Sequence, residues 1–208
     1  RMHKLLALSS KFSFFLLFLI ALPVMFEAPL VLGWWLGIVP EHTVNFLRLI
    51  LCSSMLATLS NPLIVSVHAT GSIKKFQIVE GTMLLSIVPI AYLLLKLFSI
   101  RPEYVFFVHI IIEMLTQYAR MRIVLPMISM RIGRYVKDVV LPIFKVLVVA
   151  PVLPLCLYVV MRQSVGAFFI VCSISLMAVS LAVYFVGCTK GEQEYIKRLV
   201  SEKIKVNG

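Results

Sequence analysis

The residues with the most chemistry to offer are His109, Glu113, Gln117 and Arg120, spaced four, four and three apart, with Thr116 beside them. At about 3.6 residues per turn, that spacing puts them on one face of a helix. An ionisable group in hydrocarbon costs about 2.5–3.5 kcal/mol near a helix centre on insertion scales, so such a stripe belongs on a bundle interior or a water-filled path. Two readings follow. In one, the stripe lines a polar pathway, with Arg120 available for an anionic group and Glu113 or His109 for a proton or cation. In the other, Glu113 pairs with a neighbour and the stripe holds helices together. His109 and Glu113 also have i, i+4 ligand spacing, but two ligands without a third do not make a metal centre. No metal and no other cofactor is expected.

Two further cations lie inside apolar stretches. Arg48 sits about one turn within 43–67, where it can snorkel to the interface or face a cavity. Lys145 lies about two turns inside 139–161, a stretch that Pro142, Pro151 and Pro154 interrupt. A kinked helix with an embedded lysine suits a moving part that meets a phosphate; snorkelling is the alternative. Ser54, Ala57, Thr58 and Asn61 form a small, polar face that suits close helix packing. Catalytic signatures are absent: there is no HExxH, GxSxG, DxD or Walker-type loop, and no connection exceeds about a dozen residues. The chain reads as a non-enzyme with no catalytic residues. Cys52, Cys156, Cys172 and Cys188 fall in or beside apolar runs and read as small packing residues.

The elements that must carry these residues follow from composition. Of 208 residues, 61% are hydrophobic and 14% charged, and mean hydropathy is +1.03. That balance belongs to an integral membrane protein. A helix needs about 20 residues to cross about 30 Å of hydrocarbon. Six segments qualify, at 12–36, 43–67, 81–98, 104–125, 139–161 and 165–187, which predicts an all-α, polytopic protein. Span 165–187 carries Ser173, Ser175 and Ser180 but no charge, and reads as peripheral and lipid-facing.

A formal charge of +11 raises the question of nucleic acid, but the basic residues sit between apolar runs and not in an aromatic-interleaved patch, so no nucleic-acid partner is expected. Instead they set topology. One side collects fifteen, among them Lys4, Lys74, Lys75, Arg131, Arg134 and the tail lysines; the other has Lys96, Arg101 and Arg162. Both termini are therefore expected in the cytoplasm. The basic tail 189–208, with Tyr195, Leu199 and Val200 on one side, either lies on an anionic membrane surface or is a frayed, solvated end. The loop "HATGSIKKFQIVEG" has the glycine and lysines of a phosphate loop, yet a membrane helix and not a strand precedes it. Gly71 is expected as a helix C-cap, with Lys74 and Lys75 as cytoplasmic anchors.

Three stretches carry a family resemblance: "SKFSFFLLFLIALPVMFEAPLVLGWWLGIVPEHT", "NPLIVSVHATGSIKKFQIVEG", and the Arg-Pro-Glu connection before 104–125. Together they resemble the carboxy-terminal half of bacterial polysaccharide flippases of the O-antigen type, within the MATE-like superfamily of multidrug and oligosaccharidyl-lipid exporters. The likeness covers nearly the whole chain, and its most specific parts are LGxVPExT at 36–43 and ATGxIKxxQ at 69–77. The resemblance implies one six-helix lobe of a two-lobe transporter, with the amino-terminal six-span lobe missing, and a chain beginning at Arg1 is read as a fragment. It further implies a multi-pass protein of the bacterial inner membrane that moves undecaprenyl-diphosphate-linked oligosaccharide by alternating access, with proton or sodium coupling open. The family's loop signatures assign no ligand residues, so His109, Glu113, Gln117, Arg120, Lys145 and Arg48 stand as substrate-path candidates on physical grounds. A cation-coupled multidrug exporter of the same fold is the alternative, and a polyprenyl-linked glycosyltransferase or polymerase a third.

Overall fold

The computed structural model describes residues 2–98, 101–161 and 164–194. Arg1, Arg162 and the tail beyond residue 194 lie outside them. The described residues are all-helical, with no strand. The chain divides between Val140 and Leu141 into two compact units.

The first unit begins with α1 (Met2–Phe26) and α2 (Ala28–Leu36), joined at Glu27. The sequence pattern puts one span at 12–36; the helix instead starts ten residues earlier and stops at Phe26. Pro29 explains the stop, because it has no N–H to give the carbonyl of Met25, four residues back. That carbonyl is taken by a side chain from another helix: Arg48 Nε donates to it at 2.9 Å. The early start is equally physical. His3 Nε2 donates to the Ile128 carbonyl at 2.6 Å, and Ser10 and Lys11 are buried. Tyr135 Oη also donates to Ser10 Oγ, at 3.3 Å.

Helix α3 (Thr43–Thr70) runs from His42, in the left-handed region at φ 69°, to a C-cap at Gly71, φ 74°. Gly71 N–H donates to the His68 carbonyl. It stands where the sequence places the cap. Next come α4 (Lys74–Leu85) and α5 (Ile87–Phe98), with Lys74 and Lys75 exposed in the first turn of α4. Then follow α6 (Glu103–Met127), the short α7 (Ile132–Tyr135) and a π turn over Val136–Val140. Pro142 accounts for that turn, since it cannot donate to the carbonyl of Asp138. Helix α3 packs most extensively on α6 and α1, and α4 packs on α6. The contacts fix directions: Arg48 ties the start of α3 to the end of α1, and His3 ties the start of α1 to the end of α6.

The second unit comprises α8 (Leu141–Val149), α9 (Val152–Val160), α10 (Val165–Ala182) and a closing π turn over Val183–Gly187. Pro151 separates α8 from α9. Within this unit Ser175 is fully buried, so α10 is not lipid-facing all round.

Five stretches are long and apolar enough to cross a bilayer: Met2–Phe26, Thr43–Thr70, Lys74–Leu97, Ile132–Val160 and Val165–Gly187. This is consistent with a multi-pass membrane protein. In Lys74–Leu97 only 6% of the apolar window is buried, as suits a helix bathed in lipid. The sequence pattern counts six spans, the sixth being 104–125. Its helix, α6, has 25 residues, ample length, but its polar stripe lowers its hydropathy below that of the other five.

Because Gly71 meets no atom within 4 Å of an added Cβ, a substitution there is opposed by its backbone alone. Gly71→Ala should cost about 1–2 kcal/mol from the left-handed penalty, and Gly71→Asn distinctly less. Thermal unfolding of the purified chain reads this directly, and identical melting of Ala and Asn variants would contradict it.

Candidate functional site

The interior of the first unit is organised by one arginine. Arg120, on α6, is 4% exposed, and both edges of its guanidinium are occupied. Nε and Nη2 donate to Glu80 Oε1 of α4 at 2.9 and 2.7 Å. Nη1 donates to Glu113 Oε1 at 2.7 Å and to Ser60 Oγ of α3 at 2.5 Å, with Gln117 Oε1 at 3.5 Å. Ser60 Oγ in turn lies 2.8 Å from Gln117 Oε1 and 3.3 Å from Glu113 Oε1. Three helices thus meet on a single cation, and two carboxylates face one guanidinium. With both carboxylates ionised the trio carries a net charge of −1, which one proton or one monovalent cation would balance.

The stripe on α6 therefore divides. Glu113, Gln117 and Arg120 come together, and all three are buried. Thr116 is fully buried too, but its hydroxyl donates to the Ile112 carbonyl of its own helix at 2.7 Å. His109 does not join. It is eleven residues from Arg120, about 16 Å along the axis at about 1.5 Å per residue. It lines a separate cavity of about 330 Å³ with Ile50, Ser53, Ser54, Ile87, Val105 and Phe106.

Arg48 lies at the other end of α3, with its Nε on the Met25 carbonyl, lining a cleft of about 340 Å³ with Asn45, Leu49, Arg101, Glu103, Tyr104 and Phe107. Lys145 belongs to the second unit and is exposed on α8. Neither is part of the Arg120 cluster.

Two cluster members, Ser60 and Glu80, are missing from the residues that sequence spacing selects. On α3 the buried positions are Met55, Ser60, Leu63, Ser66 and Val67. Ala57 and Asn61, expected on the packing face, are exposed. The signal for Ser60 is its place among Met55, Leu63 and Val67 at helical spacing. Glu80 has a signal of another kind, being the sole acid of the loop-to-helix stretch 68–81.

A second polar group closes the far end of α3 and α6. Glu103, the first residue of α6 and outside the stretch 104–125, receives His42 Nδ1 on Oε1, with Asn45 Nδ2 at 3.3 Å. A hydrogen bond from its own backbone N–H holds its carboxyl below the ordinary carboxylate value; Asn45 and His42 add to this, against the opposing effect of burial. Phe46 stacks near Phe106 at 5.2 Å, below this latch. Among the described residues no group of three or more His, Cys, Asp or Glu could hold a metal ion.

Comparison with protein-family models, with curated proteins and with solved structures finds no match.

Two outcomes are expected. Arg120→Met strands two carboxylates and should cost about 3–5 kcal/mol, the usual penalty for breaking a buried pair, whereas Arg120→Met with Glu80→Gln and Glu113→Gln should recover most of it. Equal stability of the single and triple variants in denaturant unfolding would rule out the charge argument. Glu103 has a folded pKa below its unfolded one, so its stabilisation is present above about pH 4.5 and is lost as pH falls through the folded value. The stability gap between the unsubstituted chain and Glu103→Gln should accordingly close on acidification; a gap that widens would reverse the assignment.

Proposed function

We propose that the chain is one lobe, six spans with both termini cytoplasmic, of a MATE-like transporter in the bacterial inner membrane. It flips undecaprenyl-diphosphate-linked oligosaccharide units across that membrane by alternating access, for O-antigen or capsule biosynthesis. An amino-terminal six-span lobe would complete the path. The reading rests on the resemblance at 36–43 and 69–77 and is supported by one structural observation: a buried arginine held by acids from two helices within an otherwise apolar helical chain.

That cluster suits a transporter for a reason of charge. A lipid-linked diphosphate brings anionic oxygens that match a guanidinium bidentately. Arg120 is occupied here, so the anion would have to replace Glu80 or Glu113. Protonation of either acid weakens its hold on Arg120 and makes the replacement easier, which provides a route for proton coupling; a sodium ion beside the acids would act in the same sense. Gln117 and Ser60 offer hydroxyl- and amide-type partners for sugar. Lys145, exposed on α8, would offer the phosphate a second cation.

One observation favours a second reading. The excess of carboxylate over guanidinium is also what a cation-coupled multidrug exporter of the same fold would use, with Glu113 as the coupling acid. The enzyme reading, a polyprenyl-linked glycosyltransferase or polymerase, has no catalytic signature to support it.

The test replaces Arg120 by Gln and, separately, Lys145 by Gln in the chromosomal reading frame. Surface polysaccharide should fall about tenfold or more when compared at matched levels of folded protein in the membrane, the effect of losing one or two charge-assisted hydrogen bonds, while lipid-linked repeat units accumulate. Normal polysaccharide in both variants would refute the flippase reading. If drug sensitivity rises instead, the exporter reading takes its place.

A further inference from the structure

The cleft at the outer ends of α3 and α6 has a charge pattern of its own. Its walls carry two guanidiniums, Arg48 and Arg101, and one carboxylate, Glu103. Arg48 spends only Nε on the protein, leaving both Nη groups without a described partner; the Arg101 carbonyl accepts the Tyr104 N–H at 3.1 Å, while its guanidinium has no described ion pair or hydrogen bond. Glu103 is 8% exposed, and its Oε1 is taken by His42 and Asn45. Its Oε2 is buried with no partner among the described residues. That oxygen is closed to solvent, so what Glu103 offers the cleft is the negative charge of its carboxylate.

These groups narrow the occupant. Two guanidiniums repel a bare cation, and the Glu103 carboxylate opposes a bare phosphate. A group holding a phosphate and an ammonium a short distance apart satisfies both. The cleft, at about 340 Å³, has the ~300–1,000 Å³ size of small-molecule sites. Its remaining wall is Leu49, Tyr104 and Phe107, with both aromatic residues half-exposed. Such a wall at the ends of membrane-length helices is where interfacial aromatics meet lipid headgroups.

We infer that this cleft binds the phosphoethanolamine headgroup of a membrane phospholipid, its phosphate on Arg48 and Arg101, its ammonium on Glu103, and its acyl chains leaving along Leu49 and Phe107. The inference is independent of the transport reading, since it uses neither the Arg120 cluster nor the family resemblance. It makes the lobe sensitive to the zwitterionic lipid content of its bilayer at the end where α3 and α6 are latched by His42 and Glu103.

The test is native mass spectrometry of the purified, delipidated full chain offered equal amounts of phosphatidylethanolamine and phosphatidylglycerol with matched acyl chains. The unsubstituted chain should retain phosphatidylethanolamine about tenfold over phosphatidylglycerol, the discrimination expected of one charge-assisted hydrogen bond. Arg101→Gln, an exposed position that leaves the packing intact, should lower that adduct about tenfold. Glu103→Gln should bring the two lipids to parity. Equal retention of both lipids by the unsubstituted chain, or an unchanged adduct in Arg101→Gln, would overturn the assignment. Soluble phosphoethanolamine serves as the arm without tails: if it displaces the lipid at equimolar concentration, the occupant is a free headgroup compound and the phospholipid assignment falls.

Discussion

The first unit depends on the need to satisfy one buried guanidinium. An arginine presents five N–H donors in a fixed plane and cannot shed its charge in a protein. Once Arg120 faces inward, acceptors must converge on it from around the plane. Glu80, Glu113 and Ser60 do so from three helices, and their positions thereby fix the rotation of α3, α4 and α6 about their axes. For α4 this matters most. The stretch Lys74–Leu97 buries almost none of its apolar window, so in lipid it gains little from hydrophobic packing. Its hold on the unit is largely the Glu80–Arg120 pair, together with the contacts along α6.

A second rule runs through the backbone. Each proline inside a helix leaves a carbonyl four residues earlier without its usual donor, and in hydrocarbon no water can stand in. Pro29 and Pro142, each at the second position of a helix, show two answers. At Pro29 a side chain does the work, since Arg48 reaches across from α3 to the Met25 carbonyl. At Pro142 the backbone rearranges into a π turn. The first solution joins two helices and the second does not. Arg48 is therefore part of the framework through Nε, whatever its Nη groups bind, and a function inferred from its charge alone would miss that the same side chain holds α1 to α3.

Periodicity made the buried half of α6 legible. Glu113, Gln117 and Arg120 lie within two turns on one face, so whatever covers one covers the others. The same spacing puts His109 on that face, but it lies eleven residues from Arg120 and lines a separate cavity. Angular spacing says which face a residue occupies but not whether its side chain can reach along the axis. Ser60 and Glu80 were hidden for a different reason: their sequence separations from Arg120 are 60 and 40 residues, and only the fold brings them near. The packing face of α3 was misjudged because Ser54, Ala57, Thr58 and Asn61 are small or polar, whereas burial there follows Met55, Leu63 and Val67. Helix ends divide along similar lines. The stop at Gly71 was readable, since a left-handed cap has a residue preference. The start of α1 was not, because His3 and Ser10 look like solvent residues until their partners, Ile128 and Tyr135, each 125 positions away, are brought beside them.

The energetic consequence of the cluster bears on how the helices of the first unit could move. Separating α4 from α6 would expose Arg120 and leave it short of two charge-assisted bonds, and Glu113 with Ser60 would keep only one edge of the guanidinium satisfied. Without a replacement partner, such a state is higher by several kcal/mol and scarcely populated. A ligand shifts that balance only through its differential affinity for the two states. An anion with paired oxygens qualifies, because it can occupy the guanidinium edge that Glu80 vacates and is excluded while Glu80 remains. A proton on Glu80 favours the same state by a different route, since a neutral acid gives up Arg120 at less cost than a carboxylate. On the proposed function, substrate and proton would thus act on one bond, the Glu80–Arg120 pair. Their effects would then be coupled through competition for a single guanidinium edge, with no need for a relay through the rest of the fold.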